Sequence, residues 1–391
     1  MKVSKRVMTI EPSLTRQMFN LAQTYDDVID LTLGDPDLPP PKEIREAAYE
    51  AIEKNKLRYS ANAGLREARE AVAKRIAKVW GRGYDPQTQI AITVGGMEAL
   101  FLSLSCMIDE GDEVIVLTPY YLNYIQMIEV CGGRPVMVEI YDPQKGLYID
   151  EDALERAVTE KTIAIIINSP NNPTGDVLSK GMLQIIARFA QTHELSIVSD
   201  EVYRALLYDE RPHESILQFP EAVSRTIVID SLSKEYSMTG WRIGYAFGPE
   251  KMISNMIKLQ ENVAACVTVS SQYGLIAAYK RDISNRYIVE TFRKRRDYLY
   301  KAISDLNLVK CQKPKGTFYM FIDISATGYR SGEFAYQLLK EAHVAVVPGV
   351  VYGKGYDDHI RIAYTKNVEQ LETAVERIKF FLNKVGERKG I

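Results

Sequence analysis

An α/β fold built on a mostly parallel sheet is what this sequence predicts, and three observations carry that expectation. Short apolar runs alternate with helix-period segments between residues 89 and 247, the pattern of βαβ units. The runs are apolar throughout, as strands buried on both faces are, and do not alternate polar with apolar. The chain has 391 residues, 46% of them hydrophobic, enough for a full core and about two or three domains.

Residues 13–22 read as a short helix with Ser13 as its N-cap. Residues 1–33 otherwise offer no chemistry to read. The stretch LTLGDPDLPPP, with Gly34 and a proline cluster, must be irregular and extended. Residues 42–54 and 65–79 combine helical apolar spacing with many charges and read as surface helices. Strands are expected at 90–94, 113–117, 162–168, 195–199, 226–230 and 243–247. Helices are expected at 97–107, 121–130, 179–192 and 251–263. Beyond Phe247 the parallel pattern fades. Residues 255–280 read as connecting helical material, and 282–306 as a long helix whose basic run is a solvated face. Residues 314–324 read as an alternating, half-exposed strand, 332–342 as a helix, 344–353 as a strand and turn, and 368–385 as a closing amphipathic helix. No internal repeat or low-complexity segment interrupts this order. No GxGxxG opens a helix, which argues against a nicotinamide-binding unit.

Forty-nine basic residues against 51 acidic ones give no reason to expect nucleic acid or an anionic membrane as a partner. Cys106, Cys131, Cys266 and Cys311 are widely spaced and form no CxxC pair. They read as thiols of a reducing cytoplasm, with neither a disulfide framework nor a metal knuckle. The four histidines include no HExxH pattern, so no metal is expected. The opening MKVSKRVMTIEPSL has no apolar h-region, and no segment approaches about 18 apolar residues, so a soluble cytoplasmic protein is expected.

The chemistry concentrates in SLSKEYSMTGWRIGY, Ser231 to Tyr245, just past an apolar run that reads as a central strand. Ligands of open α/β sheets bind at the carboxyl ends of strands. The hydroxyls of Ser231 and Ser233 and the guanidinium of Arg242 suit a dianionic phosphate. Lys234 between them can form an imine with an aldehyde cofactor, although most lysines are solvated surface. Gly95-Gly96-Met97 follows another strand and opens a helix, where bare N–H groups can hold phosphate. In NSPNNPTG, Asn172 can donate its amide to a phenolate oxygen; the alternative is an ordinary Asn-Pro turn. Asp200, at the end of a buried strand, is costly unless it meets a cation.

The lysine stretch resembles the motif of the class I/II aminotransferases, pyridoxal 5'-phosphate (PLP) enzymes of fold type I. The resemblance recurs in family order from Gly34 to Arg361 and is nearest to the aspartate and aromatic aminotransferase subgroup. It implies a large three-layer PLP-binding domain over residues 42–280 and a smaller, discontinuous α+β domain from 1–41 plus 281–391. It implies that Lys234 carries the cofactor and moves the substrate proton, and that Asp200 meets the protonated pyridine nitrogen. Tyr203 would donate to the same phenolate oxygen as Asn172, while Glu201 points elsewhere. Tyr121 would stack on the ring, with Asn123 at a position often held by serine or threonine. Arg361, in HIRIAYT, matches the arginine that clamps the substrate α-carboxylate. Gly34 lies either in a plain loop or at the substrate lip. Tyr59, before Gly64, matches a tyrosine that reaches the cofactor phosphate of the other subunit; packing is the competing reading, and Ala68 stands where many relatives have leucine.

The expected activity is transfer of the α-amino group of an L-amino acid, aspartate or an aromatic one first, to a 2-oxo acid such as 2-oxoglutarate, by a ping-pong cycle in a homodimer. The same residues would also serve a lyase performing β- or γ-elimination, of C–S lyase or aminocyclopropanecarboxylate synthase type. Ammonia and pyruvate released from cystathionine without an acceptor would mark that alternative. A PLP-sensing transcriptional regulator is a third reading, but the Gly34 motif begins too early to leave room for its DNA-binding module. No second arginine or lysine stands out in the sequence as a holder for a side-chain carboxylate.

Overall fold

The computed structural model describes every residue except Thr9, Glu11, Gly390 and Ile391. Its centre is a seven-stranded sheet in the order Ile90–Thr93, Gly244–Phe247, Thr226–Ser231, Ser196–Asp200, Thr162–Asn168, Glu113–Thr118, Arg134–Glu139. Gly244–Phe247 runs antiparallel to both neighbours, and the other adjacent pairs are parallel. The six expected strands are all present, with ends displaced by one residue where they differ. The seventh, Arg134–Glu139, was not foreseen. It is an edge strand with a single buried residue, Val138, and a proline, so it lacks the apolar run of its neighbours.

The pleat divides the central residues between two cores. Val114, Val116, Ile166, Val198 and Ile229 pack with Ala99, Leu102, Ile253 and Met256, from helices Gly95–Ser105 and Glu250–Val263. On the opposite face, Ile115, Leu117, Ile165 and Ile197 pack with Leu183, Ile186 and Ala187 of helix Lys180–Thr192. Also on that face, Val228, Tyr245 and Phe247 pack with Ala68, Val72 and Leu275 of helices Arg66–Trp80 and Val269–Lys280. Both faces of the sheet are therefore dry. Each fully buried valine or isoleucine contributes about 1.5–3 kcal/mol, which fixes the strand ends on which the site stands.

A second, four-stranded antiparallel sheet has the order Lys310–Cys311, Tyr319–Asp323, His359–Ala363, Val347–Pro348. Near it Ile29–Asp30 pairs in parallel with Val344–Ala345. One hydrophobic cluster joins Met18, Ala22, Ile29 and Leu31 to Phe292, Phe318, Phe334, Ile362 and Phe381. The N-terminal helix Leu14–Ala22 is capped as expected, with the Ser13 hydroxyl accepting from the Arg16 N–H at 3.3 Å.

Two expectations need correction. The strand in 314–324 is confined to Tyr319–Asp323, and it is not half-exposed: Tyr319, Met320, Phe321 and Ile322 are all buried, because helices and the chain's first residues cover both its faces. The basic run of helix Arg286–Ser304 is not wholly solvated. Arg295 and Arg296 are buried; Arg295 forms a fork with Asp37 at 2.7 and 2.9 Å, and Arg296 forms one with Asp209 at 2.8 Å.

Candidate active site

The carboxyl ends of the central strands open into a cavity of about 440 Å3, closed on the far side by Gly34, Tyr319 and Arg361. Gly34, Gly96, Met97, Tyr121, Asn172, Asp200, Tyr203, Ser231, Ser233, Lys234, Arg242 and Arg361 all line it. Of the residues singled out in the sequence, Gly95 lies just behind the wall. Tyr59 is elsewhere on this chain, in a loop, and is 91% exposed.

Lys234 stands on the short helical turn Leu232–Glu235 that follows strand Thr226–Ser231. Its Nζ donates to the Gly34 carbonyl at 2.7 Å and lies 5.3 Å from the centre of the Phe318 ring. Burial pulls this amine down to about 8; Asp35 opposes the shift, while Arg242 and Arg361 add to it. The fold thus makes a lysine that is substantially neutral near pH 8, as a nucleophile or proton acceptor must be.

A cradle for an anion lies beside it. Ser231 Oγ donates to Ser233 Oγ at 2.8 Å and accepts from the Ser233 N–H at 3.1 Å, which aligns the two hydroxyls. Arg242, in the left-handed region at φ 50°, donates to the Thr239 carbonyl at 2.8 Å and the Val94 carbonyl at 3.4 Å. Gly95, with φ 74°, opens the helix of Gly96 and Met97. A Cβ on Gly95 would lie 2.6 Å from Arg242 Nη2, so only a bare backbone allows the guanidinium to approach the helix start.

Asp200 ends its strand fully buried, and its partners are neutral: it accepts from the Tyr124 hydroxyl at 2.6 Å and the Val202 N–H at 3.3 Å. Burial, reinforced by the charges of Asp230 and Glu201, pushes this carboxyl up to about 6 despite those two hydrogen bonds. A buried carboxylate held this way fits a cationic ring nitrogen. Glu201 does point away, accepting from Ser199, Ser215, Trp80 and His213.

Arg361 is buried from strand His359–Ala363. It donates to Asn172 Oδ1 at 3.0 Å and to the Thr32 carbonyl, and its Nε has no partner. The guanidinium lies 4.1 Å from the centre of the Tyr319 ring. A buried N–H left over on such a fork is what a substrate carboxylate would use. Asn172 spends its carbonyl on Arg361 and its backbone N–H on Asn168, so its amide N–H2 is the donor that remains.

The donor set fits PLP: two hydroxyls, an arginine and helix N–H groups for its phosphate, an amine for its aldehyde, and a carboxylate without a cation for its ring nitrogen. The profile of the family "Aminotransferase class I and II" matches residues 26–378. The chain belongs to the class I and II aminotransferase family.

This aminotransferase is 38% identical to aromatic-amino-acid aminotransferase 2 of Thermococcus litoralis, over 97% of this chain and 98% of that one. It is 39% identical to the aspartate aminotransferase of Pyrococcus abyssi, with the same coverage. Among solved structures, it superposes on the Thermus thermophilus aspartate aminotransferase with maleate at a TM-score of 0.91, with 36% identity over 97% of this chain and 99% of that one. The elimination reading finds no support in these relatives, all of them named as aminotransferases. The aminotransferase is a PLP enzyme of fold type I. Among the described residues, no helix is long and apolar enough to cross a membrane, and no cluster of His, Cys, Asp or Glu is arranged to hold a metal ion.

Sequence reasoning missed several cavity residues. Tyr319 Oη lies 3.1 Å from Tyr203 Oη, and a Cβ on Gly34 would lie 1.8 Å from it, so the tyrosine and the glycine are matched. Tyr124 was visible only as one aromatic in TPYYLNY, and its place beneath Asp200 follows from the helix Asn123–Val130. Ser13, Thr15, Arg16, Thr32 and Leu33 also line the cavity, in a segment from which no chemistry could be read. Local sequence carries no sign that this segment folds across the mouth.

Proposed function

We propose that this aminotransferase exchanges the α-amino group of aspartate or an aromatic amino acid with a 2-oxo acid such as 2-oxoglutarate, in the cytoplasm and as a homodimer. The observation that carries the assignment of the chemistry is a half-buried lysine, its amine drawn down by desolvation to about 8, in one cavity with an arginine that keeps an unpartnered N–H.

PLP, when bound, supplies the electron sink that makes the substrate Cα–H acidic. Ser231, Ser233, Arg242 and the N–H groups of Gly95, Gly96 and Met97 would hold its phosphate, and Lys234 Nζ would hold it at the aldehyde carbon, the aldehyde oxygen leaving as water. Asp200 would keep a proton on the ring nitrogen, Asn172 and Tyr203 would donate to the phenolate oxygen, and Tyr121 would flank the ring. Arg361 orients the substrate by its α-carboxylate beside the Gly34 backbone, which places the Cα proton within reach of Lys234. Once displaced by the incoming amine, Lys234 would take that proton at Nζ and, as its conjugate acid, give it back on the same face of the substrate, which requires the neutral form at the outset. The departing 2-oxo acid vacates the Arg361 site for the second one, so a single carboxylate clamp serves both halves of the cycle.

A dicarboxylic substrate is supported by Arg16, on the cavity wall with Ser13 and Thr15. It would be the second cation, which the sequence did not reveal. The names of the Pyrococcus and Thermococcus relatives keep aspartate and aromatic donors together as first choices. We further propose that 42–280 form the large domain and 1–41 with 281–391 the small one. Their support is the cluster that joins the chain's first thirty or so residues to its last hundred.

The test has two arms. Lys234→Ala should abolish turnover and remove from the PLP-loaded protein the absorbance band that the lysine–cofactor linkage gives, leaving that of the free aldehyde; retained transamination would falsify the assignment. A panel of amino donors against 2-oxoglutarate and pyruvate should give its largest kcat/KM with aspartate or an aromatic donor.

A further inference from the structure

Three cavity residues, Tyr203, Ser231 and Lys234, each have a chain neighbour that turns away from the cavity: Arg204, Asp230 and Glu235. Those three neighbours meet. Arg204 Nε donates to Asp230 Oδ2 at 2.6 Å, and its Nη2 donates to Glu235 Oε2 at 2.7 Å. The Arg204, Asp230 and Glu235 side chains are 3%, 1% and 1% exposed, so water cannot substitute for any of these contacts.

Both carboxylates take further donors. Tyr245 donates to Asp230, Tyr279 donates to Glu235 at 3.1 Å, and Arg75 pairs with the other Glu235 oxygen. The second oxygen of Asp230 accepts the Ser231 N–H at 2.7 Å, and the Arg204 guanidinium lies 4.9 Å from the centre of the Trp80 ring. Two arginines thus balance two carboxylates. Burying four charges is expensive, and well-packed apolar residues of similar size would commonly leave a fold as stable. What apolar residues could not do is fix the distance between two loops through a planar fork with directed N–H groups.

We propose that Arg204 is a positioning residue for amino transfer: by bridging Asp230 and Glu235 it locks the Tyr203 loop to the turn that carries Ser231 and Lys234. The amine, the phosphate-facing hydroxyl and the phenol-bearing loop are thereby set at one mutual spacing by a single side chain that touches none of the reactants. This inference rests on the roles given above to Lys234, Ser231 and Tyr203.

The experiment compares Arg204→Lys, which keeps the charge and loses the fork, with the charge-balanced pair Arg204→Met/Asp230→Asn. PLP affinity of the cofactor-free protein is measured by equilibrium dialysis, steady-state kcat and donor KM on the loaded enzyme, and folding by circular dichroism. In folded variants, PLP binding is expected to weaken about tenfold and kcat to fall about 10- to 100-fold, as displacements near 1 Å cause. KM should stay within about threefold, because Arg361 lies outside the network. Arg204→Lys should recover part of what the double variant loses. Folded variants with wild-type PLP affinity and kcat, altered only in melting temperature, would overturn the proposal. Failure of both to fold would also overturn it, in favour of a purely structural role. Lys234→Ala separates this from the broader reading: if that variant still turns over, the site assignment itself is wrong.

Discussion

Asp200 shows what a single residue costs this protein before any ligand arrives. Burial pushes its carboxyl from 3.8 up to about 6, so the folded chain holds that proton more tightly than the unfolded chain. The stabilisation is complete below the unfolded value and is lost as pH rises through about 6, and it amounts to about 3 kcal/mol. Asp200→Asn should therefore raise the melting temperature of the cofactor-free chain by about a few degrees at pH 7 and leave it little changed at pH 4. The same change should lower kcat at least about a hundredfold, because the ring nitrogen loses its counter-charge. Equal melting shifts at both pH values would show that the carboxylate is not under this strain. Lys234 is the complementary case. Its amine sits at about 8 against 10.5 when free, so its share of stability is absent at low pH and is gained as pH rises from about 8 to 10.5.

Elements, rather than residues, decide how closely backbone can approach the ligand. Helix Gly95–Ser105 begins against Arg242, and the contact leaves no room for a methyl group. Gly95→Ala should displace the guanidinium and also strain a residue at φ 74°. PLP affinity is expected to fall at least about tenfold, read by dialysis of the cofactor-free protein, and an unchanged affinity would remove Arg242 from the phosphate site. The strands that frame the site were legible because burial on both faces leaves uninterrupted apolar runs such as TIAIIIN, and the strand foreseen at 162–168 is the one observed. Arg134–Glu139 was illegible for the opposite reason, since an edge strand with one buried residue leaves no such run. The motif residues were readable as types that suit phosphate and carboxylate. Their partners were not. Tyr319 lines the cavity and Tyr124 supports Asp200 through the packing of distant elements, and their places in PKGTFY and TPYYLNY do not by themselves say so. Arg295 and Arg296 looked like solvent-facing charge because Asp37 and Asp209, which pair with them, are far away in sequence.

At the scale of the whole molecule, Tyr59 is the residue that one chain leaves idle. It is 91% exposed and does not line its own chain's cavity. If it serves a second copy, mixing Tyr59→Ala with Lys234→Ala chains should create hybrids in which one site has both residues intact. Random exchange between symmetric dimers then gives up to about a quarter of the wild-type sites, so activity above that of either parent is expected. Mixtures no more active than their parents would place Tyr59 outside the site.

The pairing of Ile29–Asp30 with Val344–Ala345 bears on how the polypeptide is made. On a ribosome the opening segment is synthesised first, yet its strand partner emerges more than 300 residues later. The middle of the chain can collapse onto its own sheet while the leading end, with Met18 and Leu31 still uncovered, waits. Holding factors that shield nascent apolar surface should therefore engage the stretch from Met18 to Leu31 and release it only after Val344 and Ala345 have emerged.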